Sequence, residues 1–115
     1  MYLDVLVASL RNVKRLEGLT PQEIADFFQT VVKVQQLVEK VYGSHCSTIC
    51  VQDGPEAGQS IPHVHCHILP RKLGDFEQND DIYHELAKHD KEGGMKPIRS
   101  LEEMTNEANL LRQNL

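Results

Sequence analysis

The sequence predicts a domain of the α+β class. Short runs of β-branched and apolar residues lie on both sides of one long stretch with helical spacing. The chain has 115 residues, of which 40% are hydrophobic, and this is enough for one domain with its own core. Because no internal repeat, low-complexity tract or linker divides the sequence, we treat residues 1–115 as a single domain.

The first β-type run covers residues 5–10, Val-Leu-Val-Ala-Ser-Leu, and no turn precedes it. After a polar connection, three residues give the start signal of a helix. Thr20 is a candidate N-cap, Pro21 suits the first helical position, and Glu23 completes a capping box. We therefore expect a helix to begin at Pro21.

The long helix predicted from this point has about five turns. Its apolar residues recur at helical spacing, at Ile24, Phe27, Phe28, Val31, Val34, Val38 and Val41. Gly43 is expected to end it. We assign the apolar stripe to the core or to a dimer interface.

A second β-type run, Ser47–Val51, leads directly to Gln52. Further along the chain, Pro70 and Gly74 are expected to end another strand, and Asp80 to cap a short helix that reaches about Lys88. Tyr83 lies beside acidic residues in that helix. We expect its ring to pack, with phosphorylation as the alternative use of an exposed tyrosine.

The last part of the chain predicts a loop and then a helix. Residues 91–98 contain two adjacent glycines and are expected to form a flexible loop. Ser100 and Glu103 form a second capping box, which opens a helix at Leu101 that ends near Gln113. The C-terminal segment is therefore expected to be helical.

Between these elements, histidines alternate with apolar residues in the order His63, Val64, His65, Cys66, His67 and Ile68. Alternation with a period of two is typical of a strand, in which successive side chains point to opposite faces. The three imidazoles are therefore expected to share one face of a sheet. The apolar residues between them are expected to face the core.

Three interpretations of the histidine row were compared. In a mononuclear zinc site the ring nitrogens lie about 2.0–2.1 Å from the ion, but His63 and His67 start roughly 13 Å apart along a strand. A scatter of solvated histidines would have to place three of the six histidines within five residues. We favour a row of imidazoles that faces a phosphate, with one of them as nucleophile.

The motif at residues 63–69 resembles that of the histidine triad superfamily of nucleotide hydrolases and transferases. The segments 52–59, Gln-Asp-Gly-Pro-Glu-Ala-Gly-Gln, and 69–72, Leu-Pro-Arg-Lys, are similar to the fragile histidine triad branch, whose members are bis(5′-adenosyl)-triphosphatases. A glutamine at the third triad position would indicate the nucleotidylyltransferase branch, whereas this chain has His67. The resemblance also covers residues 19–30, 75–76, 79–83 and 88–92, so that it runs from about Val5 nearly to the end.

The resemblance implies a role for each residue of the triad. His65 would attack the α-phosphorus and become a nucleotidyl-histidine, which water then hydrolyses to release AMP. His67 and Gln52 would contact the phosphate and the departing oxygen, and His63 would orient its neighbours. The residues favour the same order, because only the middle histidine has a triad neighbour on each side.

The loop before the triad is expected to bind substrate, through Gly58, Gln59, Ser60 and Ile61 together with Gln52 and His67. Glutamine amides can donate to phosphoryl oxygens without titrating. No cationic side chain lies between Gln52 and Pro70. The polyphosphate charge is therefore met by neutral donors, by Arg71 or Lys72, or by Mg²⁺ or Mn²⁺ bound with the substrate, and no organic cofactor is expected.

The resemblance also indicates where this chain departs from its family. Relatives carry additional residues ahead of the first strand, which form two strands of their sheet, and these first strands are expected to be missing here. Where relatives have a further histidine just before the Val-Leu-Val run, this chain has Asp4. We interpret Asp4 as a solvated residue, with a hydrogen bond to a triad histidine as the alternative.

Composition limits the partners and the compartment. A net charge of −5 argues against general binding of nucleic acid, and no signal peptide or membrane span is expected. Cys46, Cys50 and Cys66 form no Cys-x-x-Cys pair and indicate reduced thiols in an intracellular protein. Cys66 is expected to be a small buried apolar residue. We expect a cytoplasmic protein, with the nucleus as a second compartment, and the resemblance implies a homodimer.

The sequence thus predicts an antiparallel, histidine-triad α+β domain that hydrolyses diadenosine triphosphate to AMP and ADP. The alternative comes from another class of function. If the nucleoside pocket is incomplete, the chain would be a catalytically weak nucleotide-binding or protein-interaction variant of the same family.

Overall fold

The computed structural model describes residues 3–76 and 78–91. Its strands are β1 (Val5–Ala8), β2 (Cys46–Cys50) and β3 (His65–Arg71), and its α-helices are α1 (Pro21–Tyr42) and α2 (Asp81–Lys91). Short 3₁₀ helices occupy Leu16–Gly18 and Pro55–Ala57. None of the helices in these ranges has the length and apolar character needed to cross a membrane. The predicted helix at residues 101–113, and the predicted loop beyond Lys91, lie outside the described residues.

The three strands form one antiparallel sheet in the order β1-β3-β2. Leu6 of β1 and Cys50 of β2 are the partners of His67 on either side. β3 is therefore the central strand of the described sheet, and its histidines are held between two neighbours. The predicted α+β class and the antiparallel sheet are confirmed.

Helix α1 begins and ends where local sequence signals place it. The Thr20 hydroxyl accepts from the backbone N–H of Glu23, and the Glu23 carboxylate accepts from the backbone N–H of Thr20, so that the capping box is complete. Gly43 ends the helix in the left-handed region, at φ 66°. The predicted bounds of this helix are confirmed.

The main core lies between α1 and one face of the sheet. It contains Val7, Phe27, Val31, Val38, Cys66 and Ile68. Cys66 and Ile68 alternate with the histidines, as the period-two pattern predicts. Ile24 and Phe28 of the apolar stripe are exposed, so only part of that stripe packs into the core of this chain.

A second, smaller core lies on the face that carries the histidines. Leu69 of β3 packs with Ile82 and Leu86 of α2, and Cys50 and Phe76 border the cluster. Helix α2 therefore covers the end of the histidine face that lies beyond His67.

The bounds of β3 differ from those predicted at both ends. The strand begins at His65, because His63 lies in a bend in which its backbone N–H donates to the carbonyl of Ile61 (2.8 Å). The expectation that Pro70 ends the strand is wrong, since β3 continues to Arg71. Pro70 lies beyond Ile68, where the pairing with β1 ends, so on that side no described strand needs its N–H.

Smaller differences affect two other elements. β2 covers Cys46–Cys50, one residue earlier than predicted, and α2 continues to Lys91, past the expected end near Lys88. Helix α2 begins directly after Asp80, as expected. The expectation that the Tyr83 ring packs is wrong, because Tyr83 is 53% exposed.

Candidate active site

The site is built on the central strand. His65 and His67 lie two residues apart on β3, on the face opposite the α1 core, and both are buried. Their ring centroids are 5.1 Å apart and their planes meet at 69°. Two imidazoles are thus held side by side, edge to face, by a strand that is paired on both edges.

The proton of His65 is placed by its hydrogen bond. Its Nδ1 lies 2.8 Å from the carbonyl oxygen of His63. Because a carbonyl oxygen only accepts, Nδ1 carries the hydrogen, and in the neutral ring the lone pair is on Nε2. That Nε2 is buried and has no hydrogen-bond partner among the described residues. The atom best suited to attack an electrophile is therefore the one left uncommitted.

His63 is anchored away from the other two rings. Its Nε2 lies 2.7 Å from the carbonyl oxygen of Ser9 and 3.1 Å from the Ser9 hydroxyl. The ring therefore donates to the segment that follows β1, which fixes the backbone of His63. The orienting contact to His65 is made by the His63 carbonyl oxygen.

His67 makes a hydrogen bond with a carboxylate. Its Nδ1 lies 2.9 Å from Oδ2 and 3.1 Å from Oδ1 of Asp4, and the two side chains are 1% and 10% exposed. The interpretation of Asp4 as a solvated residue is therefore wrong, and the alternative hydrogen bond to a triad histidine is what the structure contains. The carboxylate lies on the Nδ1 side of the ring. The His67 ring therefore separates the carboxylate from the space that its Nε2 atom faces.

Gln52 lies just beyond the end of β2. The last pair of β2 with β3 is Cys50 with His67, and Gln52 lies two residues beyond it. Its Oε1 is buried and has no hydrogen-bond partner in the described part of the chain. Gly58 packs against this side chain at φ 97°, and a Cβ there would meet Nε2 of Gln52 at 2.6 Å. Gly58 therefore leaves the space in which the carboxamide sits.

Gln59 has a different environment from Gln52. Its Nε2 donates to the carbonyl oxygens of Lys14 (2.7 Å) and Ile61 (3.0 Å), and its Oε1 accepts from the backbone N–H of Gly54 (2.8 Å). Both amide hydrogens are thus used within the protein, and the expected contact of Gln59 with the phosphate chain is not supported by this geometry. Ser60 and Ile61, also expected to bind substrate, are exposed at the end of the same loop.

The loop is also held by Asp53, a contact that sequence reasoning missed. The Asp53 carboxylate accepts from the backbone N–H of Leu16 at 2.9 Å and forms a salt bridge with Arg15, whose Nε lies 3.2 Å from Oδ1. Together with Gln59, it fixes the loop to the connection between β1 and α1. Asp53 lies 37 residues from Leu16, and Gln59 lies 45 residues from Lys14. No local sequence pattern predicts contacts over such distances.

Arg71, one of the cations expected to meet the substrate's charge, is already paired with side chains of this chain. Its guanidinium makes two hydrogen bonds to Asp75, at 2.6 and 3.0 Å, and a third to the Thr48 hydroxyl at 2.9 Å, and it lies over the Phe76 ring. Hydrogen bonding to Arg71 lowers the pKa of Asp75. The pair holds the turn between β3 and α2, whereas Lys72, the other cation expected to meet the substrate's charge, is exposed.

The residues opposite the histidine face behave as core. Cys66 is fully buried, and burial raises the pKa of its thiol to about 11. Within residues 3–76 and 78–91, no cluster of three or more histidine, cysteine, aspartate or glutamate side chains is arranged to hold a metal ion. The side chains that the described structure brings together at the site are two imidazoles, an amide and a carboxylate.

Comparison with known proteins places this geometry in context. The model of the HIT domain matches residues 3–74. The chain is 54% identical over 86 residues to the asymmetrical bis(5′-nucleosyl)-tetraphosphatase of Schizosaccharomyces pombe, covering 75% of this chain and 47% of that protein. It is 41% identical over 108 residues to the bis(5′-adenosyl)-triphosphatase of Dictyostelium discoideum, covering 94% and 68%.

A solved structure gives the same result. The crystal structure of the NitFhit protein of Caenorhabditis elegans superposes with a TM-score of 0.62 at 47% identity, over 76% of this chain and 22% of that one. The chain spans about a quarter of the length of the nitrilase fusion relatives that it matches, and about half of the yeast relative.

Proposed function

The chain belongs to the HIT domain family, and from this premise we propose that it hydrolyses dinucleoside polyphosphates, cleaving diadenosine triphosphate to AMP and ADP. His65 is the nucleophile and carries a covalent nucleotidyl intermediate. The observation that carries the proposal is the Nε2 atom of His65, which bears the lone pair of the neutral ring and has no partner in the described structure.

The first chemical step follows from that atom. Nε2 of His65 forms a bond to the α-phosphorus while the bond from that phosphorus to the bridging oxygen breaks, and ADP departs. The positive charge that develops on the ring is relieved through the Nδ1–H bond to the carbonyl oxygen of His63 (2.8 Å). Because that bond already exists, the ring does not reorient as the reaction proceeds.

The second step uses water in place of ADP. Water attacks the same phosphorus, the phosphorus–nitrogen bond breaks, and AMP leaves. Gln52, two residues beyond the cross-strand partner of His67, is the neutral group suited to this step. Its Oε1 can accept from the attacking water, and rotation of the carboxamide would offer its N–H groups to a phosphoryl oxygen.

The substrate class is supported by the names of the relatives. They include a bis(5′-adenosyl)-triphosphatase and an asymmetrical bis(5′-nucleosyl)-tetraphosphatase. The substrates in these names share a nucleoside that is linked through a polyphosphate. Attack at the α-phosphorus requires only that shared part. The triphosphate is our leading substrate, and the tetraphosphate is the natural comparison.

A divalent cation belongs to the same proposal as a companion of the substrate. No three histidine, cysteine, aspartate or glutamate side chains in the described part of the chain are placed to hold a metal ion, which fits an ion held mainly by the phosphate oxygens. The ion would neutralise part of the polyphosphate charge, which Arg71 does not meet because it is paired with Asp75.

A homodimer is also proposed. Ile24, Phe28 and Val32 are exposed apolar side chains on α1, which supports an interface along this helix. Sedimentation equilibrium tests it, since a monomer at all concentrations would contradict the dimer without affecting the chemistry.

The experiment that tests the function is product analysis with diadenosine triphosphate and Mg²⁺, run beside His65→Asn. The proposal expects AMP and ADP from the parent and neither product from the variant. Thermal melting with a nonhydrolysable dinucleotide is the parallel measurement. A folded parent that binds the analogue without turning over substrate would contradict the hydrolase and support a nucleotide-binding protein.

A further inference from the structure

We infer that Asp4 is a positioning residue that holds His67 as an imidazolium and so makes it the acid that protonates the departing phosphate oxygen. The inference rests on the proposed hydrolase function and adds a residue to its mechanism. It begins from a buried contact between two side chains that lie 63 residues apart in sequence.

The contact is close and enclosed. Both carboxylate oxygens of Asp4 lie within hydrogen-bond distance of Nδ1 of His67, at 2.9 and 3.1 Å. Leu6 is the β1 partner of His67, so the carboxylate reaches the ring diagonally from two residues earlier in the chain. Water screens such a buried pair only weakly.

Asp4 gives His67 a different partner from that of His65. The Nδ1 of His65 donates to a peptide carbonyl, and the Nδ1 of His67 donates to a carboxylate. Both contacts fix which nitrogen faces the site. The carboxylate favours the charged ring more strongly than the peptide carbonyl does, because it places an opposite charge within hydrogen-bond distance.

Two neighbouring imidazoles therefore acquire two roles. His65 presents a lone pair at Nε2, whereas a charged His67 presents an N–H there, and their ring centroids are 5.1 Å apart. Different environments around adjacent titratable groups are how an active site separates its base or nucleophile from its acid.

The proton can be followed through both steps. As Nε2 of His65 bonds to the α-phosphorus, the bridging oxygen of the leaving group takes the proton from Nε2 of His67, which becomes neutral. Water then attacks the phosphorus, gives one proton back to Nε2 of His67, and leaves its hydroxyl on AMP, while the electron pair of the phosphorus–nitrogen bond returns to Nε2 of His65. Asp4 accepts from Nδ1 throughout.

Other titratable groups around His67 come from each strand of the sheet. Cys50 is its cross-strand partner on β2, His65 is its neighbour on β3, and Asp4 approaches from the β1 side. From α2, Ile82 and Leu86 pack in the cluster that Cys50 borders. Asp4 supplies the carboxylate that contacts the ring.

The test uses Asp4→Asn, which keeps an oxygen able to accept from Nδ1–H and removes the charge. Its kcat is compared on the phenyl and p-nitrophenyl esters of AMP, because phenolate is the stronger base and needs the proton more. We expect a loss of roughly 10²-fold on the phenyl ester and of less than about tenfold on the p-nitrophenyl ester. The alkaline limb of the kcat profile should also move to lower pH.

Asp53→Asn is the matched control. It removes a partly buried carboxylate that contacts Leu16 and Arg15 rather than an imidazole. It should change kcat for the two esters by the same factor. Asp4→Glu, which restores the charge, should recover part of the loss on the phenyl ester.

A readout independent of turnover separates this inference from the proposed function. The ring of His67 is titrated by NMR in the parent, in Asp4→Asn and in Asp4→Glu, and the variant without the charge should lose the ring proton at lower pH. Equal losses on both esters in an active enzyme, or the same His67 titration with and without the carboxylate, would overturn the role of Asp4. An inactive parent in which the titration still differs would overturn the hydrolase alone.

Discussion

Nδ1 of His65 donates to the carbonyl oxygen of His63, 2.8 Å away, and this contact determines which nitrogen of His65 can act as a nucleophile. The peptide oxygen cannot donate, so the hydrogen stays on Nδ1 and the lone pair on Nε2. His63 is itself fixed by the contacts of its ring with Ser9. The proposed mechanism therefore depends on a short chain of contacts from Ser9 to Nε2 of His65.

Replacing the nucleophile and replacing its support should have different effects. We expect His65→Asn to lower kcat by roughly 10³-fold or more, because no other group takes over the covalent step. His63→Asn keeps the backbone carbonyl and loses only the ring contact with Ser9, so a loss of about tenfold is expected. Steady-state kinetics on diadenosine triphosphate checks both, and equal losses would contradict the separate roles.

Gly58→Ala tests the space around Gln52. The new Cβ would meet Nε2 of Gln52 at 2.6 Å, so we expect a lower kcat in addition to a backbone cost of about 1 kcal/mol for a positive φ. Gly74→Ala is the control, since its φ of 79° carries a similar strain and nothing lies within 4 Å of its Cβ. Kinetics and melting of both proteins are compared. A loss of kcat of the same size in Gly74→Ala would contradict the role of the space between Gly58 and Gln52.

The two glutamines of the loop should separate activity from stability. Gln52→Ala removes an amide whose Oε1 has no described partner, and we expect lower kcat with little change in melting temperature. Gln59→Ala removes three hydrogen bonds that hold the loop, which should cost about 1–3 kcal/mol of unfolding free energy. Denaturant unfolding and kinetics of both variants check this. If Gln59→Ala lowered kcat without a loss of stability and Gln52→Ala did the opposite, Gln59 would be the residue that contacts substrate.

Asp75→Asn should destabilise the turn after β3. It leaves the buried Arg71 without its charged partner, and we expect a loss of about 2 kcal/mol at neutral pH. The pKa of Asp75 is lowered in the folded protein, so its contribution is present above the carboxyl's unfolded pKa of about 4 and is lost as pH falls through the lowered value. Unfolding is therefore measured from neutral to acid pH. The difference between parent and variant should shrink on the acid side, and a constant difference would contradict the ion pair as its source.

The thiols should react in an order set by burial. Cys46 is exposed, whereas burial raises the pKa of Cys66 to about 11 and keeps it protonated at neutral pH. With a thiol-reactive disulfide reagent, we expect Cys46 to be labelled in the folded protein and Cys66 only after unfolding. Mass spectrometry of the labelled peptides follows the order. Labelling of Cys66 before unfolding would show that this face of β3 opens.

Much of the fold follows from local signals. The start of α1 depends on Thr20 and Glu23, three residues apart, and its end on Gly43, so sequence alone predicts both. The period of two places Cys66 in the core and the next histidine on the other face. Such features depend on neighbours in the chain.

The remainder depends on partners that are distant in sequence. The contact of Asp4 with His67 spans 63 residues, and Gln59 reaches Lys14 over 45. A glutamine near a histidine motif suits a phosphate contact equally well on sequence grounds, and only the pairing of its amide shows that this one supports the loop. The bounds of β3 shift for the same reason, since they are set by β1 and β2.

The most direct test of the central claim is to trap the intermediate. The enzyme is mixed with diadenosine triphosphate, quenched within one turnover under conditions that preserve phosphoramidates, digested and mapped by mass spectrometry. We expect an adenylyl group on His65, and none in His65→Asn treated identically. Turnover without any adenylylated peptide, or with the group on another histidine, would contradict the assignment of Nε2 of His65 as the nucleophile.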